Sequence, residues 1–278
     1  MKKRGVGQVV LITGASSGFG KGTALKLAAE GCIVYGAARR VDRMKELEPA
    51  GIRTLSMDVT DEKQVQDAVD RIIREQGQID ILLNNAGFGS YGAVEAVNDE
   101  AVRYQFEVNV FGAARLIRAV LPHMRKTGRG RIINTASIVA HVSTAGTGWY
   151  AATKHALKAM NEALRQEVAS MGIKSILIEP GVVRTEFEEV SLQAIDRVEH
   201  PGAYKPLMER FKGYIRRSYS KAPSPESTIH AMTEAALTAH PRRVYRTTRD
   251  SRFLPHLRRL MTDKVYDKFV VNHLMKAS

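Results

Sequence analysis

Tyr150 and Lys154 are the residues whose types and spacing point most directly to chemistry. They lie four positions apart in a segment that we predict to be helical, where positions i and i+4 share a face. An ammonium group beside a phenol favours the phenolate. At about 4 Å and an effective dielectric near 20, the attraction is about 4 kcal/mol, which would lower the tyrosine pKa by roughly three units before desolvation costs. Tyr150 would then exchange protons near neutral pH, with Ser137 donating a hydrogen bond to a substrate oxygen.

A glycine-rich turn follows the first predicted strand, where residues 13–20 read TGASSGFG and open a predicted helix. Glycines allow close approach of the backbone, and a helix N-terminus offers free N–H groups and partial positive charge, so this turn suits a dinucleotide pyrophosphate. The residues assigned to this cradle are Gly14, Ser16, Ser17, Gly18, Phe19 and Gly20. Their spacing differs from G-x-G-x-x-G, and a glycine turn without a ligand is the alternative.

Two arginines, Arg39 and Arg40, follow the second predicted strand, and residues 36–40 contain no carboxylate. A carboxylate there would bind the ribose 2′-hydroxyl, whereas arginine accommodates a 2′-phosphate, so the pair favours NADP(H) over NAD(H). A solvated arginine pair is the alternative. Asp58 and Val59 end the third strand, where the carboxylate either reaches the adenine or caps a turn; both interpretations stay open.

Short β-rich runs alternate with longer helical stretches over the first 180 residues. The predicted strands are Gln8–Thr13, Cys32–Ala37, Ile52–Met57, Ile79–Leu83, Arg131–Thr135 and Ile173–Ile178, with Arg243–Arg246 as a last strand. The predicted helices are Gly18–Glu30, Glu62–Gln76, Asp99–Met124 and Trp149–Met171, and a further helix from Pro223 to about Ala239. Continuous apolar runs belong to strands buried on both faces, so the pattern predicts an α/β fold with a doubly wound parallel sheet in a single domain over residues 1–278.

Residues 182–225 interrupt this pattern with scattered apolar side chains and no long period. We interpret them as a loop-rich substrate insertion or lid, and a set of large apolar residues there favours a hydrophobic carbonyl substrate. That set is Phe187, Leu192, Leu207, Met208, Phe211 and Tyr214. Packing beneath a surface insertion is the alternative. His141 and Trp149 flank the Tyr150 segment and either line the pocket or pack structurally.

The charge of the chain is concentrated near its C-terminus. The net charge is +13, and residues 241–278 hold ten Lys and Arg against three Asp and Glu. Within this basic extension, apolar residues from Leu254 to Phe269 recur near helical spacing, which predicts one basic amphipathic helix. We favour its docking on its own domain or on another subunit over contact with an anionic membrane. The tail contains no recognisable nucleic-acid module, so we expect no nucleic-acid partner.

Five motifs, in their order and spacing, resemble the short-chain dehydrogenase/reductase family over about residues 6–185. They are Thr13–Gly20, Asn84–Gly87, Ser137, Tyr150 with Lys154, and Pro180-Gly181. The resemblance implies a Rossmann-type, seven-stranded parallel sheet, NAD(P)-dependent carbonyl/alcohol chemistry, and a homodimer or homotetramer. It implies that Tyr150 exchanges the proton, Ser137 polarises the carbonyl, Lys154 lowers the tyrosine pKa and holds the nicotinamide ribose, and Asn109 holds a water. An ordinary helical amide is the alternative for Asn109. Further cofactor-binding residues implied are Asn85, Ala86, Gly87, Tyr150, Lys154, Pro180, Gly181, Val183 and Thr185.

We therefore expect an NADPH-dependent reductase of a hydrophobic ketone or aldehyde, running reversibly, with a catalytically idle NADP-binding sensor as the alternative. No metal site is expected: the single cysteine excludes a multi-cysteine zinc centre. A single cysteine also excludes an intrachain disulfide and suits a reducing compartment. The apolar run after the basic start is too short for the core of a secretory signal. We expect a cytoplasmic protein.

Overall fold

A seven-stranded, all-parallel β-sheet forms the centre of the computed structural model, which describes residues 3–274, with side chains for residues 3–272. The strands are β1 (Val9–Thr13), β2 (Ile33–Ala38), β3 (Arg53–Ser56), β4 (Ile81–Asn84), β5 (Gly130–Thr135), β6 (Ile173–Glu179) and β7 (Val244–Arg246). Their spatial order is β3-β2-β1-β4-β5-β6-β7. The predicted doubly wound parallel sheet is therefore confirmed, and each strand lies within two residues of its predicted ends.

Both faces of the sheet are buried under helices. On β1, Leu11 belongs to one apolar cluster and Ile12 to the other, on the opposite face of the sheet. All five β1 residues are buried, which explains the uninterrupted apolar run in the sequence. The helices are α1 (Gly18–Ala29), α2 (Glu62–Gln76), α3 (Asp99–Phe106), α4 (Ala113–Thr127), α5 (Gly148–Glu167), α6 (Phe187–Asp196), α7 (Lys205–Ser220), α8 (Glu226–Leu237), α9 (Arg249–Leu260) and α10 (Asp263–Phe269).

Helix α2 shows how local sequence sets an element. The Asp61 side chain accepts a hydrogen bond from the Gln64 backbone N–H at 3.0 Å, and the helix ends at Gly77 in the left-handed region. An aspartate N-cap and a glycine stop satisfy the free backbone groups at both ends of a helix. The predicted bounds of this helix are confirmed.

Three segments differ from their predictions. The single helix predicted over 99–124 is instead α3, a π-helical turn at Glu107–Gly112 and then α4. Residues 182–225 are not loop-rich, because α6 and α7 lie within them. The predicted tail helix is divided into α9 and α10, since Met261 is extended and Thr262 begins the next helix as its N-cap. No described helix is both long and apolar enough to cross a membrane.

Candidate functional site

A cavity of about 540 Å³ extends along the carboxyl ends of the strands. Parallel α/β sheets bind ligands at this edge because the loops that follow the strands converge there. The wall of the cavity runs from the glycine turn through Arg39 and Arg40, past Tyr150, to residues of α7, α9 and α10. One continuous cleft thus joins the motifs that the sequence placed at separate strand ends.

The glycine turn is built for close backbone approach. Gly14 has φ +67° and Gly18 has φ +52°, a conformation that L side chains rarely adopt. A Cβ on Gly20 would lie 2.2 Å from the Gly14 carbonyl oxygen, so the helix packs directly against the turn. The side chain of Ser17 does not cap α1, and the first turn of α1 contains no acidic residue. The N–H groups and positive end of this helix are therefore available to an anion.

The glycine turn is joined to the end of β4 by hydrogen bonds. The Thr13 hydroxyl accepts bonds from the backbone N–H groups of Asn85 and Ala86, each at 3.0 Å. The Asn85 amide donates to the Thr13 carbonyl at 3.2 Å and to the Gly14 carbonyl at 3.4 Å. Asn85 and Ala86 hence fix the cradle and also line the cavity.

Arg39 and Arg40 line the cavity at the end of β2, and both are exposed. Arg39 donates to the Tyr104 hydroxyl through Nη1, and among the described residues no carboxylate pairs with it. Asp58 also lines the cavity, but its Oδ1 accepts two bonds from Thr60, at 2.9 Å from the backbone N–H and 2.9 Å from the hydroxyl. Asp58 therefore caps a turn through Oδ1, and Oδ2 takes part in neither of these bonds.

The structure brings Ser137 and Tyr150 together. Ser137 ends the β5 edge and begins a short 3₁₀ turn, where its hydroxyl accepts from the Val139 N–H at 3.4 Å. Tyr150 lies in the first turn of α5 and is buried. Burial raises the pKa of the Tyr150 hydroxyl well above its usual value, and a hydrogen bond with Ser137 only partly opposes that rise. At neutral pH Tyr150 is therefore a protonated phenol.

Lys154 lies one turn beyond Tyr150 on the same helix face and is 5% exposed. Its ammonium donates to the Thr135 carbonyl at 2.8 Å and stands 5.7 Å from the centre of the Tyr150 ring. Burial lowers the pKa of Lys154 from 10.5 to about 8. Desolvation of both groups therefore outweighs the lowering of the tyrosine pKa expected from the ammonium alone.

Asn109 occupies the π-helical turn between α3 and α4. Its amide oxygen accepts from the Phe88 N–H at 3.0 Å, and its amide nitrogen donates to the Phe88 carbonyl at 2.8 Å and to the Thr153 hydroxyl at 3.1 Å. A Cβ on Gly87 would lie 3.1 Å from the Asn109 oxygen and 3.5 Å from the Lys154 nitrogen. Asn109 thus lies beside the lysine across a glycine. A π-turn within a helix often marks a functional position.

Aromatic residues close the cavity above Tyr150. The Tyr91 ring lies 5.5 Å from the Tyr150 ring, and Phe187 lies 5.9 Å from it. Phe211 of α7 packs on Tyr91 at 6.0 Å. Of the six apolar residues predicted to form the lid, Phe187, Phe211 and Tyr214 line the cavity, whereas Leu192, Leu207 and Met208 pack behind it. Nothing in the sequence around Tyr91 signalled its position.

The loop after β6 is held by the C-terminal extension. The Gly181 N–H donates to the Thr248 hydroxyl at 2.9 Å, and the Val182 N–H donates to the Asp250 carboxylate at 3.2 Å. A Cβ on Gly181 would lie 2.1 Å from that carboxylate. The predicted cofactor residues Pro180, Gly181, Val183 and Thr185 all line the cavity, as does Asp250. Sequence reasoning missed Thr248 and Asp250.

A buried charge network lies behind this loop. Glu179, at the end of β6, is 1% exposed and receives the His141 ring nitrogen at 2.7 Å and the Arg246 guanidinium at 3.0 Å. Burial acts to raise the pKa of Glu179, but the hydrogen bonds and charges of these two partners hold it below its usual value. His141 therefore pairs with Glu179 rather than lining the cavity. Trp149 likewise packs, donating to the Val94 carbonyl at 3.1 Å.

The remaining predicted residues also line this cavity: Ser16, Ser17, Phe19, Val59, Asn85, Gly87 and Thr185. Gly20 packs against the Gly14 carbonyl and Asn109 lies behind Gly87, and neither residue lines the cavity. The residues present fit a nicotinamide dinucleotide, because an uncapped helix N-terminus meets a glycine cradle and the buried Thr135 hydroxyl has no partner among the described residues. Among those residues, no group of three His, Cys, Asp or Glu side chains could hold a metal ion.

Comparisons with known proteins agree with this geometry. Residues 8–195 match the family model described as short chain dehydrogenase. The chain is 46% identical over 183 residues to the 3-ketodihydrosphingosine reductase of Bacteroides thetaiotaomicron, a match that covers 66% of each protein. A short-chain dehydrogenase structure from Streptomyces avermitilis is similar with a TM-score of 0.80 and 34% identity, covering 94% of both chains.

A second solved structure bears on the cofactor. A short-chain dehydrogenase/reductase from Burkholderia phymatum in complex with NAD is similar with a TM-score of 0.79 and 27% identity, covering 94% of this chain and 95% of that one. A nicotinamide dinucleotide is thus the class of cofactor that this fold and cradle accept. The matched family model, the parallel sheet and the strand-edge cleft together show that this chain belongs to the short-chain dehydrogenase/reductase family and is an oxidoreductase acting on CH–OH and C=O groups.

Proposed function

We propose that the protein is an NADPH-dependent carbonyl reductase acting on a ketone or aldehyde carried by a long apolar chain. The observation that carries this proposal is the grouping of Ser137, Tyr150 and Lys154 in the wall of one cavity that begins at the glycine turn. The bound cofactor would supply the hydride. The protein residues described below would position the carbonyl and deliver the proton.

Tyr150 supplies the proton in this mechanism. Because burial keeps its hydroxyl protonated at neutral pH, it is ready to donate to the oxygen of a carbonyl that gains hydride. Ser137, beside Tyr150, would turn its single hydroxyl proton from the tyrosine to the same carbonyl oxygen and fix its position. Lys154 lies under the Tyr150 ring and holds positive charge below pH of about 8, which stabilises negative charge left on the phenol oxygen. Asn109 positions the segment beside Lys154.

The apolar lining supports a lipophilic substrate. The side chains of Phe187, Phe211, Leu254, Leu257 and Met261 all face the cavity. Such a lining gains free energy from burying alkyl surface and excludes water from the reacting carbonyl. The relative from B. thetaiotaomicron is named as a reductase of 3-ketodihydrosphingosine, by its name a keto compound.

NADP(H) preference is supported by the two arginines at the end of β2. An arginine bound to a 2′-phosphate makes a charge-assisted, bidentate contact, and no carboxylate at residues 36–40 competes with it. Arg39 has guanidinium donors beyond the one that Tyr104 accepts. NAD(H) lacks the phosphate and is expected to bind more weakly.

The proposal is tested by NADPH oxidation with a series of ketones that share one carbonyl and differ in chain length. We expect kcat/KM to rise with chain length, and Tyr150→Phe to lower kcat by at least about 10² while NADPH affinity changes little. Tyr204→Phe, whose hydroxyl bonds to Glu95 outside the cavity wall, serves as a matched control for the loss of one phenol oxygen. Full turnover by a folded Tyr150→Phe variant would contradict the mechanism. NADPH binding without turnover of any carbonyl would instead favour the sensor alternative.

We also propose a cytoplasmic homodimer or homotetramer. Phe111, in the π-helical turn, is a large apolar side chain that is 49% exposed, and a subunit contact would bury it. The single, buried cysteine suits a reducing compartment. Light scattering after size-exclusion chromatography tests the assembly, and a monomer at all concentrations would contradict it.

A further inference from the structure

Helix α9 carries apolar side chains that line the cavity and others that are exposed. Leu254 and Leu257 face the cavity. Phe253 is 62% exposed and Leu260 is 85% exposed. Seven residues make almost two full turns, so Phe253 and Leu260 lie on the same outward face of the helix. The predicted docking of the tail on its own domain accounts for Leu254 and Leu257 and leaves this outward face unexplained.

Positive charge surrounds the outer face. Arg249, Arg252 and Arg259 are exposed on α9, and on helical geometry each projects within about 120° of the Phe253 and Leu260 positions. Within the described residues, none of the three forms an ion pair with a carboxylate. The next helix adds exposed Lys264 and Lys268.

Exposed apolar side chains continue beyond α9. Val265 is 51% exposed and Val271 is 60% exposed. Isolated exposed apolar residues are ordinary on a protein surface. Four of them within nineteen residues of a strongly basic segment instead indicate a surface that a binding partner covers. We name Phe253, Leu260, Val265 and Val271, together with the five basic residues above, the outer basic face.

We propose that the outer basic face docks the protein on the surface of an anionic lipid bilayer. Helices that carry apolar side chains flanked by Lys and Arg lie in the membrane interface, with the apolar groups among the acyl chains and the cations near anionic headgroups. A second copy of this chain is a poorer occupant, because a symmetric contact would bring the arginines of two copies together. This inference concerns location and is separable from turnover.

The position of this face deepens the proposed function, on which this step rests. Leu254 and Leu257 form cavity wall, and around the same helix they lie at roughly 40–100° from the exposed Phe253. Helix α9 therefore borders both the substrate cavity and the proposed membrane surface. A long-chain carbonyl compound resides in bilayers, so docking here would place the cavity beside its substrate.

The test is flotation of the full-length protein with lipid vesicles at physiological salt. We expect flotation with vesicles of phosphatidylcholine and phosphatidylglycerol, and little with phosphatidylcholine alone. Arg249→Gln with Arg259→Gln should lower the partition coefficient by about fivefold for each charge removed. Lys45→Gln with Lys174→Gln removes the same charge from exposed sites elsewhere and should change flotation much less.

The apolar contribution is tested by Phe253→Ser with Leu260→Ser, compared with Val6→Ser, a control at a residue that is 72% exposed. The double variant should lose flotation and keep wild-type turnover of a short, water-soluble ketone, since neither side chain reaches the cavity. Equal flotation of wild type, the Arg249→Gln with Arg259→Gln variant and the Phe253→Ser with Leu260→Ser variant would overturn the proposal, as would a wild type that does not float. Concentration-dependent dimerisation abolished by Leu260→Ser, without flotation, would assign the face to a second copy instead. If the wild-type protein floats with anionic vesicles but reduces no ketone, only the proposed reaction is contradicted.

Discussion

Lys154 offers a quantitative test of how the site is built. Burial lowers its pKa from 10.5 to about 8 in the folded protein, whereas the unfolded chain keeps the ordinary value. Between these pH values the unfolded state binds the proton and the folded state does not, so stability rises with pH across this range. The difference of 2.5 units corresponds to about 3 kcal/mol, because each unit is worth about 1.4 kcal/mol. Below pH of about 8 the folded protein carries the full cost of the buried charge.

The perturbation is Lys154→Met, which removes the titrating group and keeps most of the side-chain volume. Urea unfolding from pH 7 to 10 should show wild type gaining about 2–3 kcal/mol relative to the variant, since other titrations cancel in the difference. Lys158→Met is the matched control, because Lys158 lies on the same helix and pairs with Glu162 near solvent. Its stability difference from wild type should stay nearly constant with pH.

Parallel stability curves for wild type and Lys154→Met would refute this reasoning. They would show that the lysine stays charged in the fold, and that the Thr135 carbonyl compensates for desolvation. The pH dependence of activity gives a second measurement of the Lys154 pKa, because kcat/KM depends on the protonation states of the free enzyme. If the charged lysine is required, kcat/KM should fall as pH rises above about 8.

Two further predictions concern the ends of the cofactor cleft. Wild type should prefer NADPH over NADH by about 10–150-fold in kcat/KM, and Ala38→Asp with Arg39→Leu should reverse that preference; a wild type that prefers NADH would contradict the role of Arg39. Asp250→Ala should raise the cofactor KM by about tenfold with a smaller change in kcat, and Asp250→Asn should retain most of the affinity, because the Val182 N–H keeps an acceptor. Gly181→Ala should raise the cofactor KM as Asp250→Ala does, because its Cβ would displace the Asp250 carboxylate. An unchanged KM in both variants would show that the contact between Asp250 and the loop after β6 does not support cofactor binding.

The sheet and the cofactor cradle were predictable because their signals are local. Buried strands read as apolar runs, and the motif that ends each strand lies at the same edge once the strands are parallel. Thr13–Gly20, Ser137 and Tyr150 therefore converge as predicted. The caps of α2 were equally local, since an aspartate and a glycine mark its ends.

The lid helices escaped prediction for a physical reason. Helix α7 turns one face to the cavity, and that face mixes apolar and polar side chains: Phe211, Tyr214, Ile215, Ser218 and Tyr219. A helix that borders a ligand cavity does not show the clean apolar stripe of a core helix, so its period is diluted. The division of the tail into α9 and α10 was missed because one extended residue, Met261, leaves the apolar spacing almost unchanged.

The Thr248, Asp250 and Glu179 contacts were beyond sequence reasoning because they join residues far apart in the chain. The Gly181 N–H and its Thr248 acceptor are separated by 67 positions, and neither position carries a motif. The net effect of burial and of Lys154 on the Tyr150 pKa was beyond sequence reasoning for a related reason. The sequence places Lys154 beside the tyrosine, but only the fold shows that both are desolvated.

Desolvation of both groups bears on the direction of the reaction. A carbonyl that receives hydride needs a proton, and a buried phenol with a raised pKa already holds one at neutral pH. Alcohol oxidation needs the opposite starting state, a phenolate, which the buried environment disfavours until positive charge is brought close to the oxygen. Lys154 offers that charge only below its pKa of about 8, where the phenol is still protonated. In the proposed mechanism, reduction starts from the protonation state that burial favours, whereas oxidation must first meet the free-energy cost of deprotonating Tyr150.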